Sequence, residues 1–224
     1  MKPQSPARIF LSDNREMQQS AQHRSFSTFN GAQTHTSLNY TVDQLNDEEL
    51  AGGGSITHTM PQEGYLLILP ITGDLTLEVQ EADRKHISIG EISMLRLNKG
   101  TNFSLINPFP DDTINYLLVR VNADTDLAGS LVNSFALEAN ENQLIELINI
   151  PKLLEVRIGR FKGRSATVYL PGNNKNQVFA VVIAGAFELQ NRLLQPRDAL
   201  ILATQDEVEF EALSEGAVLL LIAT

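Results

Sequence analysis

The chain has 224 residues, 42% of them hydrophobic and 20% charged, enough apolar material for a packed core and too much for an intrinsically disordered chain. It has no cysteine and four histidines, at 23, 35, 58 and 86, which excludes disulfide scaffolds, zinc fingers, iron–sulfur sites and cysteine nucleophiles and leaves no imidazole beyond His86. With 17 basic and 27 acidic residues the net charge is −10, which opposes direct binding to nucleic acid or to an anionic membrane surface.

In chain order, the N-terminus MKPQSPARIF lacks the apolar core and cleavage site of a signal peptide. The longest apolar runs, Tyr65–Ile71 and Ala217–Ala223, hold seven residues each, far below the ~20 that span a bilayer. The expectation is a cytoplasmic protein. Gly52-Gly53-Gly54 gives a strand a flexible entry and is no phosphate loop, since no Lys-Ser/Thr follows it. Tyr65–Leu69 reads as a buried strand, Thr72-Gly73-Asp74 as a turn, and Leu75–Val79 as a strand with one wet face, because its apolar residues alternate. Ala82–His86 reads as a polar hairpin tip that puts His86 on the surface; His23 and His35, in a polar N-terminal segment, read the same way. Asn107-Pro108-Phe109-Pro110 is a turn, and Tyr116–Val121 a buried strand.

From Asn122 to Asn140 the pattern is mixed, and Leu127, Leu131, Val132 and Phe135 at helical spacing predict a linker with one short helix. Arg157, Arg160, Lys162 and Arg164 read as a basic edge strand protected against edge-to-edge pairing. Pro171–Asn174 is a turn, Val178–Ile183 and Val218–Ile222 are buried strands, and Val208–Ala212 alternates, with Glu207, Glu209 and Glu211 on a solvated face. Strands this short and frequent indicate an all-β barrel or sandwich.

A repeat underlies the pattern. Tyr65–Leu77 resembles Val178–Leu189, with Gly73 and Gly185 112 residues apart, and Ile87–Leu95 resembles Leu194–Leu202. Two similar β domains follow.

Particular motifs make this more specific. Gly52 is followed after five residues by His58-Thr59-Met60, with Gly73 closing the segment, and Asn98–Asn107 forms a second motif. Arg24–Phe29, Thr57-His58, Gly90-Glu91-Ile92 leading into Asn107-Pro108, Glu155–Gly163 and Ala184–Phe187 add to these. On these residues the chain resembles the pirin family and its quercetin-2,3-dioxygenase-like bacterial relatives among the bicupins, over most of residues 7 to 223. The resemblance implies two tandem cupin barrels of jelly-roll type, at 1–124 and 141–224, with the linker at 125–140 between them.

The resemblance also implies a metal, usually iron, held in the first barrel by three histidines and a glutamate. Matched residue by residue, His58 takes the first ligand position and Met60 the second, Tyr65 or Leu66 falls at the glutamate, and Phe103 replaces the third histidine. A thioether is a poor ligand for ferrous or zinc ions and a phenyl ring offers no lone pair, so no cofactor is expected and the cup should be largely apolar. In the second barrel the corresponding positions fall around Asn176, Gln177 and Phe179 and near Ala203–Asp206, where no metal set is expected either.

The reading that follows is a pirin-like bicupin without dioxygenase activity, either a regulatory protein or one that binds a small apolar or aromatic ligand near His58, Met60, Tyr65 and Phe103, and either a monomer or a homodimer. The alternative is a quercetinase-type dioxygenase in which Glu63 turns inward and holds iron or another divalent metal with His58.

Overall fold

The computed structural model describes residues 6–30, 42–80, 83–123, 129–172, 175, 177–203 and 207–224. In chain order the strands are β1 (Ala7–Phe10), β2 (Glu16–Gln19), β3 (His23–Asn30), β4 (Val42–Leu50), β5 (Ser55–Thr59), β6 (Gly64–Thr72), β7 (Leu75–Val79), β8 (Asp83–Ile87), β9 (Glu91–Leu97), β10 (Asn102–Ile106) and β11 (Ile114–Asn122). They continue with β12 (Leu131–Ser134), β13 (Ile145–Ile150), β14 (Leu154–Phe161), β15 (Ala166–Tyr169), β16 (Gln177–Ala184), β17 (Phe187–Leu189), β18 (Arg192–Leu194), β19 (Ala199–Ala203), β20 (Val208–Ala212) and β21 (Ala217–Ala223). Among the described residues no helix is long and apolar enough to cross a membrane.

The strands form two compact units, each a cupin barrel of two facing sheets. The first barrel, Glu16–Ser134, has a seven-stranded sheet in the order β12-β9-β6-β11-β4-β3-β2 and a four-stranded sheet β5-β10-β7-β8. The second takes residues 6–15 together with Phe135–Thr224, its sheets running β1-β19-β16-β21-β14-β13 and β15-β20-β17-β18. Its first strand thus comes from the start of the chain, because β1 pairs antiparallel with β19, Ile9 opposite Leu200.

The four-stranded sheets match strand for strand and the larger sheets match over six strands, β2 of the first barrel having no counterpart among the described residues, as the sequence repeat predicts. Gly73 and Gly185 both sit at positive φ, 75° and 71°, in equivalent turns. A Cβ at Gly73 would lie 2.4 Å from Ile114 Cγ2, and one at Gly185 2.7 Å from Ala217 Cβ. Each glycine therefore combines a left-handed backbone with a close approach that a side chain would obstruct.

Inside each barrel the apolar faces of the two facing sheets meet. In the first, Leu66 and Ile68, Leu75 and Leu77, Phe103 and Leu105, and Tyr116 and Leu118 form one cluster. In the second, Phe161, Phe187 and Phe210 pack edge to face with ring centroids 5.2–6.1 Å apart, each such pair contributing about 0.5–1.5 kcal/mol beyond its buried area.

Asn107, the last residue of the second motif, fastens one end of the first barrel. Its Nδ2 donates to the carbonyls of Leu50, Ala51 and Asp112 at 2.7–3.0 Å, and its Oδ1 accepts from Phe109 N. At 2% exposure none of these bonds is easily replaced by water. Asn107→Ala is expected to cost about 2 kcal/mol by stranding buried carbonyls, measurable as a lower urea midpoint with unchanged m-value.

Two expectations need correction. Leu131–Ser134, expected in a helix, is strand β12, antiparallel to β9 with Leu131 opposite Met94; Leu127 lies outside the described residues. The open edge of β9 supplies backbone partners that outweigh a weak helical spacing, and only a 3₁₀ turn at Glu138–Asn140 follows. The basic run also differs, because β14 lies between β13 and β21 and is not an edge. Its cations pair with carboxylates: Arg157 with Glu146 and Glu155, Arg160 with Glu138, Lys162 with Glu141, and Arg164 with Glu211.

Candidate functional site

Strands β3, β4 and β11 lie side by side, and their register places Ser25, Glu48 and Tyr116 in one row across the sheet. Asn46, Glu48 and Leu50 alternate with Leu45, Asp47 and Glu49, and they face the interior that holds Leu50 and Tyr116. Glu48 is fully buried, at 0% exposure. Its Oε1 accepts from Ser25 Oγ and Asn46 Nδ2, both at 2.9 Å, and its Oε2 accepts from His23 Nε2. His23 is therefore no surface residue: its side chain is 11% exposed and anchored to a buried carboxylate. His35 lies outside the described residues. His86 is exposed at 56% and pairs with Asp74 at 3.1 Å.

The predicted site residues divide between two faces. His58 on β5 stands opposite Phe103 on β10, their rings stacked with centroids 5.3 Å apart. The His58 ring also meets that of His23 edge-on at 6.2 Å. Met60, Leu66 and Phe103 are each 2% exposed or less and belong to the interior cluster. Tyr65, one residue before Leu66, projects from the opposite face of β6, where the Arg96 guanidinium lies 5.3 Å from its ring centroid. Glu63 is exposed and ion-paired with that same Arg96. The interior thus gathers His58, Met60, Leu66 and Phe103, and leaves Glu63 and Tyr65 outside.

The interior of the first barrel is not uniformly apolar. Asn46 Oδ1, His58 Nε2, Ser93 Oγ, Tyr116 OH and Arg120 Nε are buried and have no hydrogen-bond partner among the described residues. All five belong to residues on inward-facing strand positions, since Ser93 stands opposite Ile68 and Arg120 opposite Leu66. Burial lowers the pKa of His58, with Glu48 opposing and His23 and Arg120 adding to the effect, so the imidazole is neutral at pH 7. Burial, reinforced by Glu48, raises that of Tyr116 well above its ordinary value, which keeps a protonated phenol. Asp43, 3.0 Å away, holds the Arg120 guanidinium.

Chemically this is a set of neutral donors and acceptors, together with the Arg120 guanidinium, in an interior that holds one buried carboxylate. It does not fit a metal centre of the expected kind. The only imidazole at an expected ligand position is His58, its neighbours there are a thioether, an alkyl chain and a phenyl ring, and among the described residues no three His, Asp or Glu side chains are placed to hold a metal ion. His23 and Glu48 bond to each other and do not make up such a group with His58.

Sequence reasoning missed Glu48, His23, Ser25, Asn46 and Tyr116. The readable signal was the period-two alternation of His23-Ser25-Ser27 and Asn46-Glu48-Leu50, which acquires meaning once the two strands are aligned. In the second barrel, Gln177 and Phe179 are buried in β16, while Asn176 and 204–206 lie outside the described residues. A groove of about 350 Å³ on the outer face of β15, β20 and β17, between Val168, Glu188, Glu209 and Glu211, belongs to the solvated acidic face and not to the interior.

A family model described as the quercetinase C-terminal cupin domain matches residues 148–222. No match is found among curated protein sequences. Among solved structures, YhhW from Escherichia coli superposes with a TM-score of 0.81 at 13% identity, covering 97% of each chain. Bacterial pirin YhhW in complex with nickel(II), from the same organism, gives 0.78 at 14% identity, covering 97% of this chain and 98% of its own. Quercetin 2,3-dioxygenase from Acinetobacter baumannii gives 0.73 at 14% identity, covering 96% of this chain and 85% of its own.

Proposed function

We propose that this chain, a pirin- and quercetinase-like bicupin, binds a small organic molecule in its first barrel and is not a metal-dependent dioxygenase. The observation that carries this reading is the polar interior of the first barrel, where five buried polar atoms on inward-facing residues have no hydrogen-bond partner among the described residues while the expected metal positions beside His58 hold Met60, Leu66 and Phe103. A buried polar atom without a partner costs on the order of 1–3 kcal/mol, so several in one interior favour an occupant that satisfies them. The matching ligand has an aromatic or apolar body, to lie against Phe103 and Met60, and a neutral hydrogen-bonding edge for His58 Nε2 and Tyr116 OH.

A rival reading draws support from one feature: His58 keeps a neutral imidazole with a free Nε2, the state that ligates iron or nickel. Two measurements separate the readings. The protein, purified without chelator, is analysed for metal and then screened by thermal shift against phenols, aromatic ketones and flavonols. Binding that weakens about tenfold on Tyr116→Phe, the loss of one hydrogen bond of about 1.4 kcal/mol, supports the ligand reading. Near-stoichiometric metal that disappears on His58→Ala, or flavonol-dependent oxygen uptake abolished by chelation, overturns it.

A further inference from the structure

Two successive rows of inward-facing residues cross the larger sheet of the first barrel. Gln44, Arg120, Leu66 and Leu95 form one, and Asn46, Leu118, Ile68 and Ser93 form the next. In the first row Gln44, Arg120 and Leu95 keep partial exposure, 20% over the Arg120 side chain. The second row is buried, with Leu118 at 2% and Ile68 and Ser93 at 0%, and so are Glu48 and Tyr116 beyond it. Among the described residues the barrel is thus open at the Arg120 row and closed beneath it.

Two buried atoms on either side of this boundary have fixed and opposite hydrogen-bonding roles. Asn46 Nδ2 donates to Glu48 Oε1 at 2.9 Å and to Ser25 Oγ at 3.1 Å. A carboxylate only accepts, so this end of the amide is its NH2 and the other end is the carbonyl oxygen. That Oδ1 is turned away from Glu48, and it has no hydrogen-bond partner among the described residues. Arg120 Nε–H, which can only donate, is buried and unpartnered in the same sense. Because Arg120 stands opposite Gln44 and Asn46 opposite Leu118, the two are diagonal neighbours on one face, a separation that a long side chain spans.

Charge narrows the choice of ligand. The register of β4 against β11 shifts between Arg120 and Val121, leaving Asp43 as the extra residue of a β-bulge, a device that re-aims a side chain. The Asp43 carboxylate lies 3.0 Å from the Arg120 guanidinium and offsets its charge. A ligand carboxylate would therefore find the cation already paired, set a second acceptor against Asn46 Oδ1 and approach the buried Glu48. A ketone would satisfy Arg120 and leave Asn46 open. A carboxamide supplies both missing partners and carries no charge.

We infer that the first barrel selects a primary carboxamide on an aromatic body, its carbonyl oxygen accepting from Arg120 Nε–H and its N–H donating to Asn46 Oδ1. This assignment rests on the first-barrel ligand reading and adds the group that the ligand must carry. The body lies towards Phe103. Burial is the main cause of the lowered His58 pKa and Arg120 contributes to it, which puts the guanidinium within electrostatic reach of the imidazole stacked on Phe103.

The test compares benzamide with two near-isosteres on the unmodified protein, by isothermal titration at pH 7. Acetophenone keeps the carbonyl and replaces the NH2 with methyl; benzoate replaces it with a charged oxygen. Benzamide is expected to bind at least about tenfold more tightly than either, the ratio that one hydrogen bond provides. Arg120→Met, combined with Asp43→Asn so that no carboxylate is left unpaired, should weaken benzamide about tenfold. The comparison on the unmodified protein stands whether or not that variant folds. Acetophenone binding as tightly as benzamide overturns the carboxamide assignment and leaves the ligand reading in place. Tighter binding of benzoate, or an unchanged benzamide affinity in the folded double variant, overturns it as well. If none of the three binds while a phenol or flavonol does, the carboxamide assignment alone falls; if nothing in either set binds, the ligand reading falls with it.

Discussion

Glu48→Ala is expected to destabilise the first barrel by about 3–5 kcal/mol, the cost of removing one partner from a buried charged cluster. The loss is large because the carboxylate serves three donors at once. Ser25 Oγ, Asn46 Nδ2 and His23 Nε2 converge on it from two strands, and none has water at hand, since Glu48 is at 0% exposure and Ser25 and Asn46 are at 8% and 6%. One remaining contact, Asn46 Nδ2 to Ser25 Oγ at 3.1 Å, does not make up for three lost bonds.

Glu48→Gln separates charge from shape. It keeps the side chain's volume and one acceptor, but it places an amide donor against one of the existing donors, so an intermediate loss of about 2 kcal/mol is expected. Urea unfolding of the intact chain, followed through tyrosine fluorescence in a Tyr169→Phe background that leaves the second barrel without tyrosine, gives both numbers. A Glu48→Ala midpoint within error of the parent would mean that the cluster is solvated and that the interior is not the closed polar chamber on which the ligand reading rests.

The architecture was largely legible in the sequence, and physical chemistry says why. Leu75–Val79 and Val208–Ala212 are strands β7 and β20 residue for residue, because strict alternation over five residues has only one conformation that buries every apolar side chain. The runs from Tyr65, Tyr116, Val178 and Val218 lie inside β6, β11, β16 and β21. The repeat about Gly73 and Gly185 anticipated the matched sheet orders because both positions need the same left-handed turn.

The site was less legible, for a reason of distance. Val42–Leu50 reads as a polar, acidic stretch, and nothing local says that Glu48 points inward while Glu49 does not. That distinction comes from pairing with β3 and β11, as far as 68 residues away, where Asn115 bonds Asp47. The ambiguity between Tyr65 and Leu66 had the same origin, since adjacent residues of a strand face opposite ways and only the register of β6 against β9 selects one. The helical reading of Leu131–Phe135 failed because the strand edge it covers lies some forty residues earlier, with Leu131 opposite Met94.

The double replacement Met60→His and Phe103→His is expected to create a nickel site about 100-fold tighter than anything the parent offers, equivalent to about 2.7 kcal/mol. Its basis is placement. Phe103 stands directly opposite His58, and Met60, two residues on, has its backbone bonded to Thr101 and Gly100, so its side chain joins the same buried cluster. Three imidazoles on one interior face supply the minimum protein ligand set of an open metal site, and imidazole suits nickel.

Without metal the variant should be less stable than the parent by about 2–4 kcal/mol, because two apolar side chains at 2% exposure give way to imidazoles whose nitrogens must find partners. Nickel at about 100 times its dissociation constant should return some 2.7 kcal/mol of this, so the melting temperature of the variant rises on titration while that of the parent stays fixed. The contrast tests whether residue identity at these positions, and not barrel shape, separates this chain from a nickel-binding pirin. A folded variant that nickel leaves unmoved would locate the difference in the backbone geometry of β5 and β10; a parent that nickel stabilises as strongly as the variant would return the first barrel to metal chemistry through ligands other than Met60 and Phe103.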